Sequence, residues 1–269
     1  MSEAKQASYG DNMIAEKDGA VGWMIFNNPE RHNALSFDMW EAIPRILDRF
    51  EADAEVRVIV LKGAGEKSFI SGADISEFDK KRASAEAVAQ YDQVAHEASK
   101  RLSHAAKPTI AMIRGYCIGG GLGVALSCDM RIASTGSRFA IPAAKLGLGY
   151  RVSSLQPLIA LIGPAFAKEI IITARQFDSG EALGMGLINR VVDEKELEDF
   201  TADYCRRIAA NAPLTMLAAK RTVDEIARAP SDLDHELCER LVEECFASED
   251  YVEGRRAFME KRKPKFQGR

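Results

Sequence analysis

The chain has no surplus of basic charge. Its 36 Lys and Arg stand against 40 Asp and Glu, a formal net charge of −4. A sequence pI near 5.7 gives no overall attraction to nucleic acid or to an anionic membrane. No apolar run approaches the ~20 residues that a membrane helix needs. The five cysteines, Cys117, Cys128, Cys205, Cys238 and Cys245, contain no CxxC pair, and an odd number cannot all form disulfides within one chain. Cys117 and Cys128 sit in apolar stretches, so they read as buried thiols in a reducing compartment. The four histidines, His32, His96, His104 and His235, lack HxxxH or HxH spacing, which speaks against a structural zinc site. The polar, acid-bearing start MSEAKQASYGDN lacks the apolar core of a signal peptide and the basic face of a transit peptide. These absences together read as a cytoplasmic protein without membrane or nucleic-acid partners.

Nucleotide and hydrolase signatures are missing too. GAGEKS lacks the GxxxxGK[ST] spacing of a phosphate loop. The run Gly119-Gly120-Gly121-Leu122-Gly123 lacks GxGxxG spacing, and no acidic residue ends the next strand, so a dinucleotide site is not supported. No GxSxG marks a nucleophile elbow.

What is present is a chain of 269 residues with 46% hydrophobic and 28% charged residues, enough for one large domain or two small ones. Residues 1–11 read as a flexible tail, 12–200 as an α/β core and 201–269 as a helical C-terminal region. MIAEKDGAVGWMIFNNP predicts a hairpin turning at Asp18-Gly19. Ser36 is a candidate N-cap for a helix to about Asp53, kinked or restarted by Pro44. VRVIVLK (56–62), PTIAMI (108–113) and MRIAS (130–134) predict buried parallel strands. An Ala-rich helix over 84–105 and a short helix opened by the glycine run separate them, so right-handed crossovers are implied. Beyond residue 152 helices are predicted over 153–162, 164–174 and 179–186. A short strand at NRVVD and further helices follow, with Leu237, Leu241, Cys245 and Phe246 on one face.

Two Gly-rich loops therefore follow buried parallel strands, the place where open α/β sheets bind ligands. The backbone N–H groups of Ala73 and Gly120 are candidates to converge on one oxygen as an oxyanion hole. The alternative is that such turns are only tight connections.

The segments NNPERHNALS (27–36), KSFISGADISEF (67–78), KPTIAMIRGYCIGGGLGVALSCDMRIAS (107–134) and GRRAFMEKRKPKF (254–266) resemble the enoyl-CoA hydratase/isomerase (crotonase) family. They occur in family order over nearly the whole chain. The resemblance implies a crotonase-like spiral of ββα units with a helical C-terminal trimerisation region, and a homotrimer or dimer of trimers. It implies an acyl-CoA thioester substrate whose carbonyl is held by Ala73 and Gly120, with coenzyme A entering as part of the substrate and no separate cofactor or metal. Arg31, Ala34 and Lys67 match family positions that contact coenzyme A. Phe258 and Lys261 match positions that reach the coenzyme A of a neighbouring subunit. The basic end EGRRAFMEKRKPKFQGR reads equally as a solvated helix terminus.

The departures are as specific as the matches. Where hydratases of the family place two glutamates, this chain has Gly123 and Ala143. Neither can transfer a proton, and one positioned acid–base group contributes ~10²–10⁴ in rate. Simple enoyl-CoA hydration is therefore not expected. The spacing from His96 to Pro108 resembles that of a histidine in chlorobenzoyl-CoA dehalogenases, which share the GGGLG pattern. Their nucleophilic aspartate falls in the loop where this chain has Arg151, which is no nucleophile. His96 and Arg151 are the candidate replacements for the glutamates, against the plainer reading of an exposed histidine and a surface ion pair. Asp74 and Tyr150 flank the expected pocket. A non-catalytic acyl-CoA-binding or assembly subunit is the alternative reading.

Overall fold

Strict alternation builds the edge of the larger sheet. The computed structural model describes residues 6–74, 85–227 and 232–269. In β2 (Met13–Asp18) Met13 and Ala15 point inward while their neighbours are only half-buried. The strand pairs antiparallel with β3 (Val21–Phe26), Asp18 opposite Val21. Gly19 (φ 54°) turns the hairpin, in keeping with the left-handed backbone that such a turn requires. Residues 7–9 correct the expected eleven-residue tail. They form β1 (Ala7–Tyr9), paired antiparallel with β2.

The continuous apolar runs become central parallel strands: β4 (Val58–Gly63), β6 (Thr109–Ile113) and β8 (Met130–Ser134). Both faces of these strands are covered, which is why they show no polar alternation. Ile59, Leu61, Ala111 and Ile113 enter the main core. Val58, Val60, Ile110 and Met112 pack on the other face against Leu197 and Cys205. The seven-stranded sheet runs β1-β2-β3-β4-β6-β8-β11, with β11 at Arg190–Val192. A four-stranded sheet runs β10-β9-β7-β5. Its members are β5 (Ser68–Ile70), β7 (Tyr116–Ile118), β9 (Arg138–Ala140) and β10 (Phe177–Asp178).

Each turn of the chain thus gives one strand to the large sheet, one to the small sheet and then a helix. The pairs β4/β5, β6/β7 and β8/β9 precede α2 (Ala85–Ser103), α3 (Gly120–Leu126) and α4 (Val152–Thr173). This is the expected spiral of ββα units. Ahead of them lies α1 (Phe37–Ala52), capped by the Ser36 hydroxyl, which accepts from the Met39 N–H at 3.3 Å. Pro44 neither ends nor restarts α1. Trp40, Ile43, Ile46 and Leu47 are buried on both sides of it, so core packing holds both halves as one helix.

The helix α4 shows the opposite outcome. By length and composition its 22 residues are long and apolar enough to cross a membrane, contrary to the sequence expectation. Gly163 (φ 73°, ψ 169°) breaks it into two halves, as the separate predictions 153–162 and 164–174 require. Each half is about 16 Å long at 1.5 Å per residue, short of the ~30 Å of a bilayer core.

The remaining helices are α5 (Ser179–Gly184), α6 (Leu197–Ala209), α7 (Pro213–Ile226), α8 (His235–Ala247) and α9 (Glu249–Met259). The expected boundary at residue 200 falls inside α6, which packs on the large sheet through Leu197 and Cys205 and so belongs to the core. Asp129 fastens α7 to the same sheet. It accepts from the Thr109 N–H at 2.7 Å and pairs with Lys220 at 2.8 Å. Arg131 is 4% exposed. It donates to the carbonyls of Leu187 (2.9 Å), Ala125 (3.2 Å) and Cys128 (2.8 Å).

Cys117, Cys128 and Cys205 are buried free thiols. Burial pushes Cys128 and Cys205 up to about 12 and raises Cys117 as well. The thiolate is the reactive form. At pH 8 a thiol reagent should label no more than Cys238 and Cys245 in the native protein and all five cysteines after denaturation. Rapid native labelling of a third thiol, located by peptide mass, would show that this core is open.

Candidate active site

Two strands of the small sheet end side by side and deliver the site. After β5 the chain runs through Gly72 (φ 121°) to Ala73, and after β7 through Gly119 (φ 53°) to Gly120 at the start of α3. The approach is close because side chains are missing. A Cβ on Gly121 would lie 2.3 Å from the Ile70 carbonyl oxygen. A Cβ on Gly119 would lie 3.9 Å from the Gly72 Cα.

Pairing with Leu35 orients the Ala73 amide. Leu35 donates to the Gly72 carbonyl and accepts from the Asp74 N–H, both at 2.8 Å. In a parallel bridge of this kind the intervening residue's own N–H points away from its partner. The Ala73 nitrogen lies 3.8 Å from where a Gly120 Cβ would be. Gly120 is the first helical residue of α3, so its N–H has no acceptor within the helix. Neither amide has a hydrogen-bond partner among the described residues. Two adjacent unused donors can hold one carbonyl oxygen and stabilise negative charge on it.

The carboxylate of Asp74 is 11% exposed and pairs with Arg31 at 3.1 Å, so it ties the Ala73 loop to the turn at 29–34. The continuation of that loop over 75–78 lies outside the described residues. Arg31 and Ala34 share this turn, the Ala34 N–H donating to the Arg31 carbonyl at 3.0 Å. Lys67 is exposed just before β5. The turn reaches the neighbouring Ser68 through His32 Nδ1 at 3.2 Å and Asn33 Nδ2 at 2.8 Å. Arg31 and Ala34 on one turn, and Lys67 from a distant part of the sequence, are thereby drawn toward one side of the Ala73 loop.

Asn33 organises this region and was not singled out from the sequence. It is fully buried with φ 56°. Its side chain donates to the carbonyls of Ala64 and Ser68 and accepts from the Asn28 N–H. The signal was an asparagine in a turn, a residue that tolerates left-handed backbone and bonds nearby main chain.

Phe258 is 82% exposed at the end of α9, and Lys261 (φ 53°) is exposed just beyond. Among the described residues neither shares a hydrogen bond or ion pair with the Arg31–Lys67 group. The basic C-terminal segment folds back on α9 rather than trailing into solvent. Glu253 takes Arg262 at 2.6 Å, Arg256 at 2.7 Å and the Lys265 N–H at 3.0 Å. These donors hold its carboxyl well below the usual range. Asp250, 3% exposed, accepts from the backbone of Gln267 and Gly268. A cleft of about 760 Å³ lies between α9 and this segment, but its acidic and basic groups largely pair with each other.

His96 is exposed on α2. Arg151 is 67% exposed and donates to Asp92 Oδ2 through Nε at 2.7 Å, with a second contact at 2.6 Å. Its guanidinium is therefore in a surface ion pair, and no hydrogen bond joins it to His96 among the described residues. Asp92, the partner of Arg151, lies one helical turn before His96 on α2. Tyr150 is half-buried and packs on the main core. No group of three or more His, Cys, Asp and Glu side chains is placed to hold a metal among the described residues.

With this geometry in view, the comparisons with known proteins are specific. The family model described as "Enoyl-CoA hydratase/isomerase" matches residues 16–269. A short-chain-enoyl-CoA hydratase of Clostridium acetobutylicum is 36% identical over 253 residues, covering 94% of this chain and 96% of that protein. A carnitinyl-CoA dehydratase of Proteus mirabilis is 35% identical over 260 residues, covering 93% and 96%. The crystal structure of a putative enoyl-CoA hydratase/isomerase family protein from Hyphomonas neptunium superposes with a TM-score of 0.92 at 35% identity, covering 98% of this chain and 100% of that one.

Asn33→Ala strips two buried carbonyls and one N–H of their partner. It should lower stability by at least ~2 kcal/mol, seen as an earlier thermal or urea transition. An unchanged transition would show that the turn holds without it.

Proposed function

Because the chain belongs to the enoyl-CoA hydratase/isomerase family, we propose that Ala73 and Gly120 hold the thioester carbonyl of an acyl-CoA and stabilise an enolate or related oxyanion. The observation that carries this reading is the pair of adjacent, unused backbone N–H groups. Arg31, Ala34 and Lys67 provide the coenzyme A side of the site, and Phe258 and Lys261 serve a neighbouring protomer in a trimer or dimer of trimers. Coenzyme A arrives with the substrate, no separate cofactor is needed, and the enzyme works in the cytoplasm.

The acid–base half of the reaction separates this chain from a two-glutamate hydratase. Gly123 and Ala143 offer no proton-transfer group. His96 is the candidate base, and Arg151 would have to leave Asp92 to hold an acidic acyl chain. Isomerisation, C–C cleavage and decarboxylation can each use a stabilised thioester enolate without the two-glutamate handling of water that hydration shares with its reverse, dehydration. The same two positions favour a second reading, an acyl-CoA-binding subunit without turnover, which a panel of acyl-CoA substrates separates from the first.

The test is binding and turnover of crotonyl-CoA by the native protein and by Gly120→Pro. The native protein should bind it and hydrate it at least ~10²-fold more slowly than a two-glutamate relative. Fast loss of the enoyl absorbance would show that another residue has replaced the glutamates. Gly120→Pro removes one donor, and any turnover the native protein shows on the panel should fall ~10²–10³-fold. Circular dichroism checks the fold, and a folded variant with full activity would remove Gly120 from the oxyanion hole.

A further inference from the structure

Gly123 is a glycine with no backbone or packing reason to be one among the described residues. It lies in the interior of α3, where glycine is less stable than alanine. It is not among the residues with positive φ. A Cβ built on it meets nothing within 4 Å among the described residues. Its neighbours differ. A Cβ on Gly121 would strike Ile70, and one on Gly120 would lie 3.2 Å from Leu35 Cδ1 and 3.7 Å from Trp40 Cζ2.

The direction of that space follows from helix geometry. Gly121, Leu122, Val124 and Ala125 are buried, while Gly120 and Gly123 are only half-covered. Residues three apart share a helix face. Cα–Cβ bonds tilt toward the helix N-terminus, so a side chain at 123 would project over Gly120. The missing volume therefore adjoins the place where the carbonyl oxygen is held. The turn at 142–146 borders the same end of α3, with Pro142 Cδ 4.0 Å from a Gly119 Cβ position. The next residue there is Ala143, also small and 4% exposed.

We propose that Gly123 is a specificity-determining residue, and that the space beside it receives a bulky group, branched or aryl, on the acyl carbons next to the thioester. The inference rests on the acyl-CoA reading above. It adds what that reading does not contain, a substrate class set by an absent side chain.

Calorimetry with acetyl-CoA and benzoyl-CoA tests it on the native protein and on Gly123→Ala and Gly123→Leu. The native protein should bind benzoyl-CoA more tightly. The ratio of the benzoyl-CoA Kd to the acetyl-CoA Kd should rise at least threefold in Gly123→Ala and at least tenfold in Gly123→Leu. The melting temperature of Gly123→Ala should equal or exceed the native value, since nothing is displaced and helix propensity improves. A constant Kd ratio overturns the proposal while leaving the acyl-CoA reading intact. So does a lower melting temperature in Gly123→Ala, which would mean that protein atoms fill the space. A native protein that binds neither thioester overturns both.

Discussion

A backbone contact that admits no side chain governs the site. The Gly121 Cα sits against the Ile70 carbonyl so closely that a methyl group there would come within 2.3 Å of the oxygen. That contact draws the end of β5 and the start of α3 together. With Leu35 occupying the other edge of the Ala73 loop, two amides are left side by side with no acceptor among the described residues. The spiral of ββα units supplies the two parallel strand ends, and α1, held at Ser36, carries Leu35 and Trp40 into the same corner.

Much of this was legible in the sequence, for physical reasons that differ between elements. β4 and β6 were visible as unbroken apolar runs because both their faces are covered. The break at Gly163 was visible because glycine followed by proline punctuates any helix. Pro44 misled because the apolar face of α1 is continuous across it, and burial outweighs one lost hydrogen bond. β1 was missed because three partly exposed residues at a sheet edge carry almost no pattern. α6 straddles the expected boundary because it meets the sheet through a sparse set of side chains, Leu197 and Cys205 with the partly buried Phe200, Tyr204 and Ile208.

The site divides in the same way. Glycine spacing pointed to Ala73 and Gly120, whose adjacent amides, free among the described residues, are a property of the main chain and so of local sequence. His96 and Arg151 were chosen by position along the chain, and the structure hands Arg151 to Asp92, a partner 59 residues away that no local pattern announces. Asn33 was hidden for the converse reason. Two of its three partners, the Ala64 and Ser68 carbonyls, lie in a segment 31 and 35 residues further on, and nothing near it in sequence shows that its side chain is buried while residues 29–32 of its turn are exposed.

The buried guanidinium of Arg131 has a consequence for how the chain assembles. Burial opposes its charge, and two of its acceptors, Ala125 and Cys128, lie just before it in sequence. The third, Leu187, comes 56 residues later. The next residues from that segment also complete the sheet, with the Asn189 side chain accepting from the Arg131 N–H at 2.8 Å. During synthesis the glycine-run helix and β8 therefore emerge with a cation whose solvation by protein is incomplete until the start of β11 leaves the ribosome. The units of the spiral can form one after another, but the corner formed by the glycine-run helix and β8 becomes fully stable only when the strand that closes the sheet arrives.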